Sequence, residues 1–190
     1  MKDFVKFAGL LFLLYFLITS KNAQAQRYIA GFSAVEGRIG IIEVDGLTAN
    51  FGLSRYIQSK GRWMCDVDFL QRNYIYSDMR IPLRQYTLSG SRNILLFSDK
   101  SKTFFVSIGA GLILGYEHIN SGRKLLPDGA IILSEDKFIY GALLNFEMEY
   151  YIDDDKIVIG GIRQRGMLGS TVTPFHTQFF VGFKHIINNR

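Results

Sequence analysis

Between Thr103 and His118 the chain alternates strictly. Phe104, Val106, Ile108, Ala110, Leu112, Leu114 and Tyr116 share one face, and Thr103, Phe105, Ser107, Gly109, Gly111, Ile113, Gly115 and Glu117 share the other. A period of two is the signature of a β-strand. In a soluble sandwich the apolar face would be the core, and the glycines opposite would meet water to no purpose. In a small membrane barrel the apolar face meets lipid and the small residues point into a crowded lumen. The barrel accounts for more of the strand; a soluble β-sandwich is the alternative architecture.

The pattern recurs from Phe138 to Tyr151. Phe138, Tyr140, Ala142, Leu144, Phe146, Met148 and Tyr150 alternate with Ile139, Gly141, Leu143, Asn145, Glu147, Glu149 and Tyr151. Aromatic residues gather at both ends of the apolar face, as girdles at two membrane interfaces do. Weaker alternation predicts strands near residues 34–44, 47–57, 62–74, 80–97, 156–168 and 176–188. The fold class expected is all-β: one small antiparallel outer-membrane-type barrel of eight strands, filling residues 26–190 as a single domain. Most of these strands exceed the roughly 9–11 residues that cross a bilayer at a tilt. The connections give an independent check. Ser59-Lys60-Gly61, Ser98 to Lys102 and Asp153-Asp154-Asp155 are compact and would face the periplasm. Asp45-Gly46, residues 75–79, Ile119 to Lys137 and Gly169 to Phe175 would face outward, the longest among them. The last strand, near residues 176–188, would close the sheet by pairing with the first.

Residues 1–25 have the layout of a secretory signal peptide. Lys2 and Lys6 precede an uncharged apolar run, Phe7 to Ile18, and Ala23-Gln24-Ala25 forms a small-x-small cleavage site before Gln26. The run is shorter than the ~20 residues of a spanning helix. Cleavage removes Lys2, Lys6, Lys21 and Asp3, and so lowers the net charge from +5 to +3. That charge, without a basic stripe, gives no ground for direct sequence-specific nucleic-acid binding. Cys65 is the single cysteine, so no internal disulfide can brace an exported chain.

The residues with chemical potential fall mostly on inward faces. Asp66, Asp68, Glu147 and Glu149 are placed in the lumen, and Arg163, Arg165 and Lys184 are placed with them. An eight-stranded lumen has little room for water, and unpaired buried charge is costly, so these groups should pair as a structural network. An ion path or a proton-active site is the competing reading. His118 and His176 are expected at the outer rim near Ser121 and Ser170, and His185 on the outward face at the periplasmic end. A lipid-acting barrel hydrolase would use such a serine and histidine, but no nucleophile motif accompanies them. No catalytic, metal or cofactor site is assigned, and no cofactor is expected. Gly109-Ala110-Gly111 lacks the strand-turn-helix setting of a nucleotide loop and is taken as lumenal.

Several segments carry a family resemblance: Arg80-Ile-Pro-Leu-Arg-Gln-Tyr86, Leu96-Phe-Ser-Asp-Lys-Ser-Lys-Thr-Phe104, Ser107-Ile-Gly-Ala-Gly111 and Gly115-Tyr-Glu117. Leu125-Leu-Pro-Asp-Gly-Ala130, Asp136-Lys-Phe-Ile-Tyr-Gly141 and Phe175-His-Thr-Gln-Phe179 continue it. Together they resemble the TraO conjugal transfer proteins of Bacteroidetes-type conjugative transposons, most closely from about residue 80 onward. The resemblance implies an outer-membrane component of a mating apparatus, in contact with membrane lipid and other transfer proteins. It supplies no active-site residues. A general surface barrel, an adhesin or envelope-stability protein, is the alternative role.

Overall fold

The computed structural model describes residues 30–42, 46–58, 61–76, 79–122, 126, 129–132, 136–170 and 174–187. The expected leader and its expected cleavage site at Ala23, Ala25 and Gln26 lie outside these residues. Eight strands follow one another: β1 (Ser33–Ile42), β2 (Gly46–Ile57), β3 (Gly61–Tyr76), β4 (Met79–Ser98), β5 (Phe104–Ile119), β6 (Lys137–Tyr151), β7 (Lys156–Leu168) and β8 (Phe175–Ile186). Each pairs antiparallel with the next, and β8 pairs with β1, closing an eight-stranded barrel. Closure removes the sheet edges that a sandwich would have to protect.

The alternation places its residues as the pleat requires. The outward wall is apolar, with Ile39, Phe51, Leu88, Leu112, Leu144 and Val181 all exposed. Aromatic side chains flank this band, with Tyr86, Tyr116 and Phe138 toward the long-loop end and Trp63 and Phe97 toward the short-turn end. The inward face is polar through its middle. A bulge between Leu95 and Phe97 breaks the period in β4, which turns both Leu96 and Phe97 outward. Gly111 is one inward position where no side chain fits: a Cβ there would lie 2.6 Å from the Cβ of Ser91.

Three connections differ from expectation. Gly46 and Gly61 belong to strands rather than to turns, and residues 75–79 are largely ladder rather than loop. Beyond the Gly46–Arg72 pair, β3 and β4 continue alone as a two-stranded ribbon through Tyr74–Ile81, Ile75–Arg80 and Tyr76–Met79. Pro82 is tolerated here because, among the described residues, the ribbon has no neighbouring strand on that side to miss its N–H.

The β4–β5 turn shows how a short connection is pinned. Asp99 Oδ1 accepts the backbone N–H groups of Thr103 (2.7 Å) and Phe104 (2.9 Å), and Lys102 takes a left-handed φ of 53°. Burial disfavours the Asp99 charge, but hydrogen bonds from Ser101 and from these amides outweigh it and hold the carboxyl below its ordinary pKa. A depressed folded-state pKa stabilises fully above the unfolded value and is lost as pH falls through the folded one. Exchange of the Thr103 and Phe104 amides should therefore speed up relative to the barrel body below about pH 4. In Asp99→Ala that relative difference should be present already at neutral pH. Unchanged protection in the variant would show that the carboxylate does not hold the turn.

Candidate functional site: a charged, filled lumen

The charged side chains inside the barrel fall into two clusters. Toward the short-turn end, Glu147 of β6 meets three cations. Arg38 of β1 lies 2.7 Å from its Oε2 and Lys184 of β8 lies 3.0 Å from its Oε1, while Arg62 of β3 contacts Oε1 as well. Lys184 also reaches Glu149 at 2.5 Å and Glu36 at 3.1 Å, Arg38 reaches Glu36 at 2.5 Å, and Arg62 reaches Glu149. Arg38 further stacks its guanidinium on Phe180, 4.7 Å from the ring centroid. Three acids and three bases thus tie β1, β3, β6 and β8 together across the lumen.

The second cluster lies toward the long-loop end. Arg163 of β7 forms a two-pronged pair with Asp66 of β3, at 3.1 and 3.2 Å, and Arg165 meets Asp68 at 2.5 Å. Neutral groups complete the shell. Asn50 donates to Asp66 (2.7 Å) and Asp68 (3.1 Å), and Ser89 donates to Asp66 (2.8 Å). Arg165 donates to Gln178 (2.6 Å), which in turn donates to Thr48 (2.6 Å). Carboxylates with this many donors and guanidinium forks are held in fixed geometry.

Across both clusters five acids face five bases, and none of the ten is more than 4% exposed. The charge balance matters because the desolvation of an unpaired ion is far costlier than that of a pair. Apolar layers cap the network. Ala34, Tyr56, Phe105, Tyr151, Ile157, Ile159 and Ile186 pack together at the short-turn end, with the Phe105 and Tyr151 rings 5.3 Å apart. Ile113, Ile139, Leu143 and Met167 form a smaller cluster near the other end. The lumen is therefore occupied by side chains from end to end.

The structure brings all seven sequence-assigned lumen residues, Asp66, Asp68, Glu147, Glu149, Arg163, Arg165 and Lys184, into these clusters. It adds Glu36, Arg38 and Arg62, which the strand reading passed over. Their signal was parity: Arg62 shares its face with Asp66 and Asp68, and Glu36 and Arg38 share theirs with Ala34. At the long-loop mouth Glu117 is buried and accepts from Gln85 (2.7 Å) and Ser170 (2.8 Å). The histidines separate. His118 contacts Asp136 at 2.5 Å beside the long loop, and His185 lies on the outward face, 3.5 Å from Asp155. His176 is not a rim residue as expected; it is fully buried, because it shares the inward parity of Gln178 and Phe180.

This barrel geometry can be set beside known proteins. The profile of the conjugative transposon protein TraO matches residues 24–187, nearly the whole chain. The chain belongs to the TraO family. No curated relative matches the sequence. Among solved structures it is similar to Neisserial surface protein A, at 14% identity and TM-score 0.54, covering 82% of this chain and 95% of that one. It is also similar to the N-terminal β-barrel domain of Pseudomonas aeruginosa OprF (8% identity, TM-score 0.56, 83% and 98% covered). The outer membrane protein OprG of Pseudomonas aeruginosa aligns at 10% identity and TM-score 0.55, with 86% and 99% covered. At such identities the likeness establishes the outer-membrane barrel fold and nothing about role. This TraO-family member is a small conjugation-related barrel whose interior is an ion-pair network.

Proposed function

We propose that this protein is exported by a cleaved leader, inserts in the outer membrane, and serves the conjugative transfer apparatus as a non-enzymatic scaffold or accessory. The observation that carries this reading is the filled lumen. A conduit for DNA or nucleoprotein needs an open bore, whereas here ten paired charges and two apolar layers occupy the interior. A lumen built this way contributes rigidity, and a rigid barrel is suited to holding other components at a membrane. Partners would then be other transfer proteins, docking on the short turns or on the loop end. The β3–β4 ribbon is one contact surface at that end, with Ile75 71% exposed beside Tyr76 and Arg80.

Two measurements test this. Deleting the gene from its element should lower conjugation frequency and leave growth unchanged; transfer at the parental rate would remove the role. The purified barrel in planar bilayers should show no steady ionic conductance, and discrete openings intrinsic to the folded protein would overturn the filled-lumen reading.

A further inference from the structure

The outward face changes character abruptly at one level near the long loops. Phe69 of β3, Tyr86 of β4, Tyr116 of β5 and Phe138 of β6 stand in register on four neighbouring strands. Tyr86, Tyr116 and Phe138 are exposed, and the Phe69 and Tyr86 rings lie 5.2 Å apart. With Phe51, Val67, Leu88 and Leu114 below it, this row lines a shallow outward groove of about 760 Å³. Two residues farther along each strand the outward row is polar: Gln71 of β3, Arg84 of β4 and His118 of β5. Aromatic side chains with apolar residues on one side and polar ones on the other mark a membrane interface. Arg84 therefore stands at the level of lipid headgroups.

The charge at that level is one-sided. Every carboxylate on the described strands is buried in the lumen. At this rim Asp136 is engaged by His118 at 2.5 Å and by the backbone N–H of Ile119 at 2.8 Å. Among the described residues Arg84 has no carboxylate partner. Arg80 shares its face of β4, four residues farther out on the β3–β4 ribbon, and is exposed and equally without a counter-charge among the described residues. At a rise of about 3.3 Å per residue the two positions are about 13 Å apart along the strand. The ribbon climbs away from the aromatic row, so Arg80 stands beyond the level of lipid phosphates. A phospholipid phosphate level with Arg84 leaves Arg80 without an anion. A lipid whose headgroup is an acidic oligosaccharide offers one to each.

We propose that Arg84, Arg80 and the aromatic row below them form a binding site for an outer-leaflet glycolipid with a phosphorylated, acidic sugar headgroup. The groove takes an acyl chain against Phe69, Tyr86 and Tyr116. The Arg84 guanidinium forks onto the phosphate of the lipid-linked sugar, and the Gln71 amide beside it meets sugar hydroxyls. Arg80 binds an anionic group on the sugars beyond. This occupant leaves the opposite face of the ribbon, where Tyr76 is exposed, open to protein contact. The inference rests on the proposed placement of the barrel in the outer membrane with its long loops outward.

The test uses the full barrel refolded in detergent without native lipid, with native mass spectrometry to follow bound lipid. The probes are rough lipopolysaccharide carrying acidic inner-core sugars, lipid A without those sugars, and phosphatidylglycerol. The lipopolysaccharide should bind about fivefold more tightly than lipid A, the worth of one arginine contact near a membrane surface. Arg80→Gln should bring these two to equal affinity, and Arg84→Gln should weaken both by a similar factor. Heat-modifiable migration on a gel shows that each variant still folds. Equal binding of lipopolysaccharide and lipid A in the parent, or an advantage that survives in folded Arg80→Gln, would overturn the site. Phosphatidylglycerol bound as tightly as lipopolysaccharide would assign the groove to ordinary phospholipid and defeat the proposal. A parent chain without a heat-modifiable shift would sink the membrane reading and the site with it, whereas a heat-modifiable barrel without the preference sinks the site alone.

Discussion

Glu147→Gln should destabilise the folded barrel by about 3–5 kcal/mol, the cost typical of removing one member of a buried ionic group. The side chain keeps its size and some hydrogen bonding, so the effect isolates charge. In the parent, Glu147 faces Arg38, Arg62 and Lys184 at once. Without it, Glu36 and Glu149 remain against those three cations, leaving one positive charge with no counter-ion in a water-poor lumen. The barrel can respond by admitting water or by loosening, and either lowers stability. Urea titration of the barrel folded in lipid or detergent reads the change directly. A midpoint within error of the parent would mean that the six-membered cluster carries no net structural weight.

Arg163→Ala should cost a comparable amount, because Asp66 keeps its Asn50 and Ser89 donors but loses its two-pronged cation. The informative comparison is with Arg163→Met combined with Asp66→Leu. A buried pair replaced whole by apolar groups of similar volume is often neutral, or more stable by about 1–4 kcal/mol. The double variant should therefore recover most or all of the loss seen in Arg163→Ala. Recovery separates a lumen that needs charge balance from one that needs these particular ions. A double variant as damaged as the single one would indicate that the pair does something packing cannot replace, such as passing protons.

Much of this barrel was legible because its physics has a period of two. β5 and β6 read cleanly since their outward residues are continuously apolar and their inward ones small or polar. β1 read poorly: Gly37 is outward and Gly40 inward, and Ala34 lies on the lumenal face, so Glu36 and Arg38 did not stand out as lumenal. The tip of the ribbon was missed because the polar and aromatic residues around 75–79 look like a loop, and only cross-strand pairing identifies a ladder there. Parity could assign a side chain to the lumen, as it should have for His176. It could not say which partner that side chain meets. The Arg163–Asp66 contact joins β7 to β3 across the barrel, and that distance depends on closure and shear rather than on any one strand. The two clusters are properties of the closed sheet.

On the proposed function the lumen is structural filling, and the protein's contribution to transfer comes from its outer surfaces. That is tested most directly by conjugation frequency in cells carrying Arg163→Met with Asp66→Leu, once the variant is shown to fold and reach the outer membrane. If the lumen only braces the barrel, transfer should proceed at the parental frequency. Transfer reduced to the level of the gene deletion, by a barrel that is correctly folded and inserted, would mean that the lumenal ions themselves serve transfer.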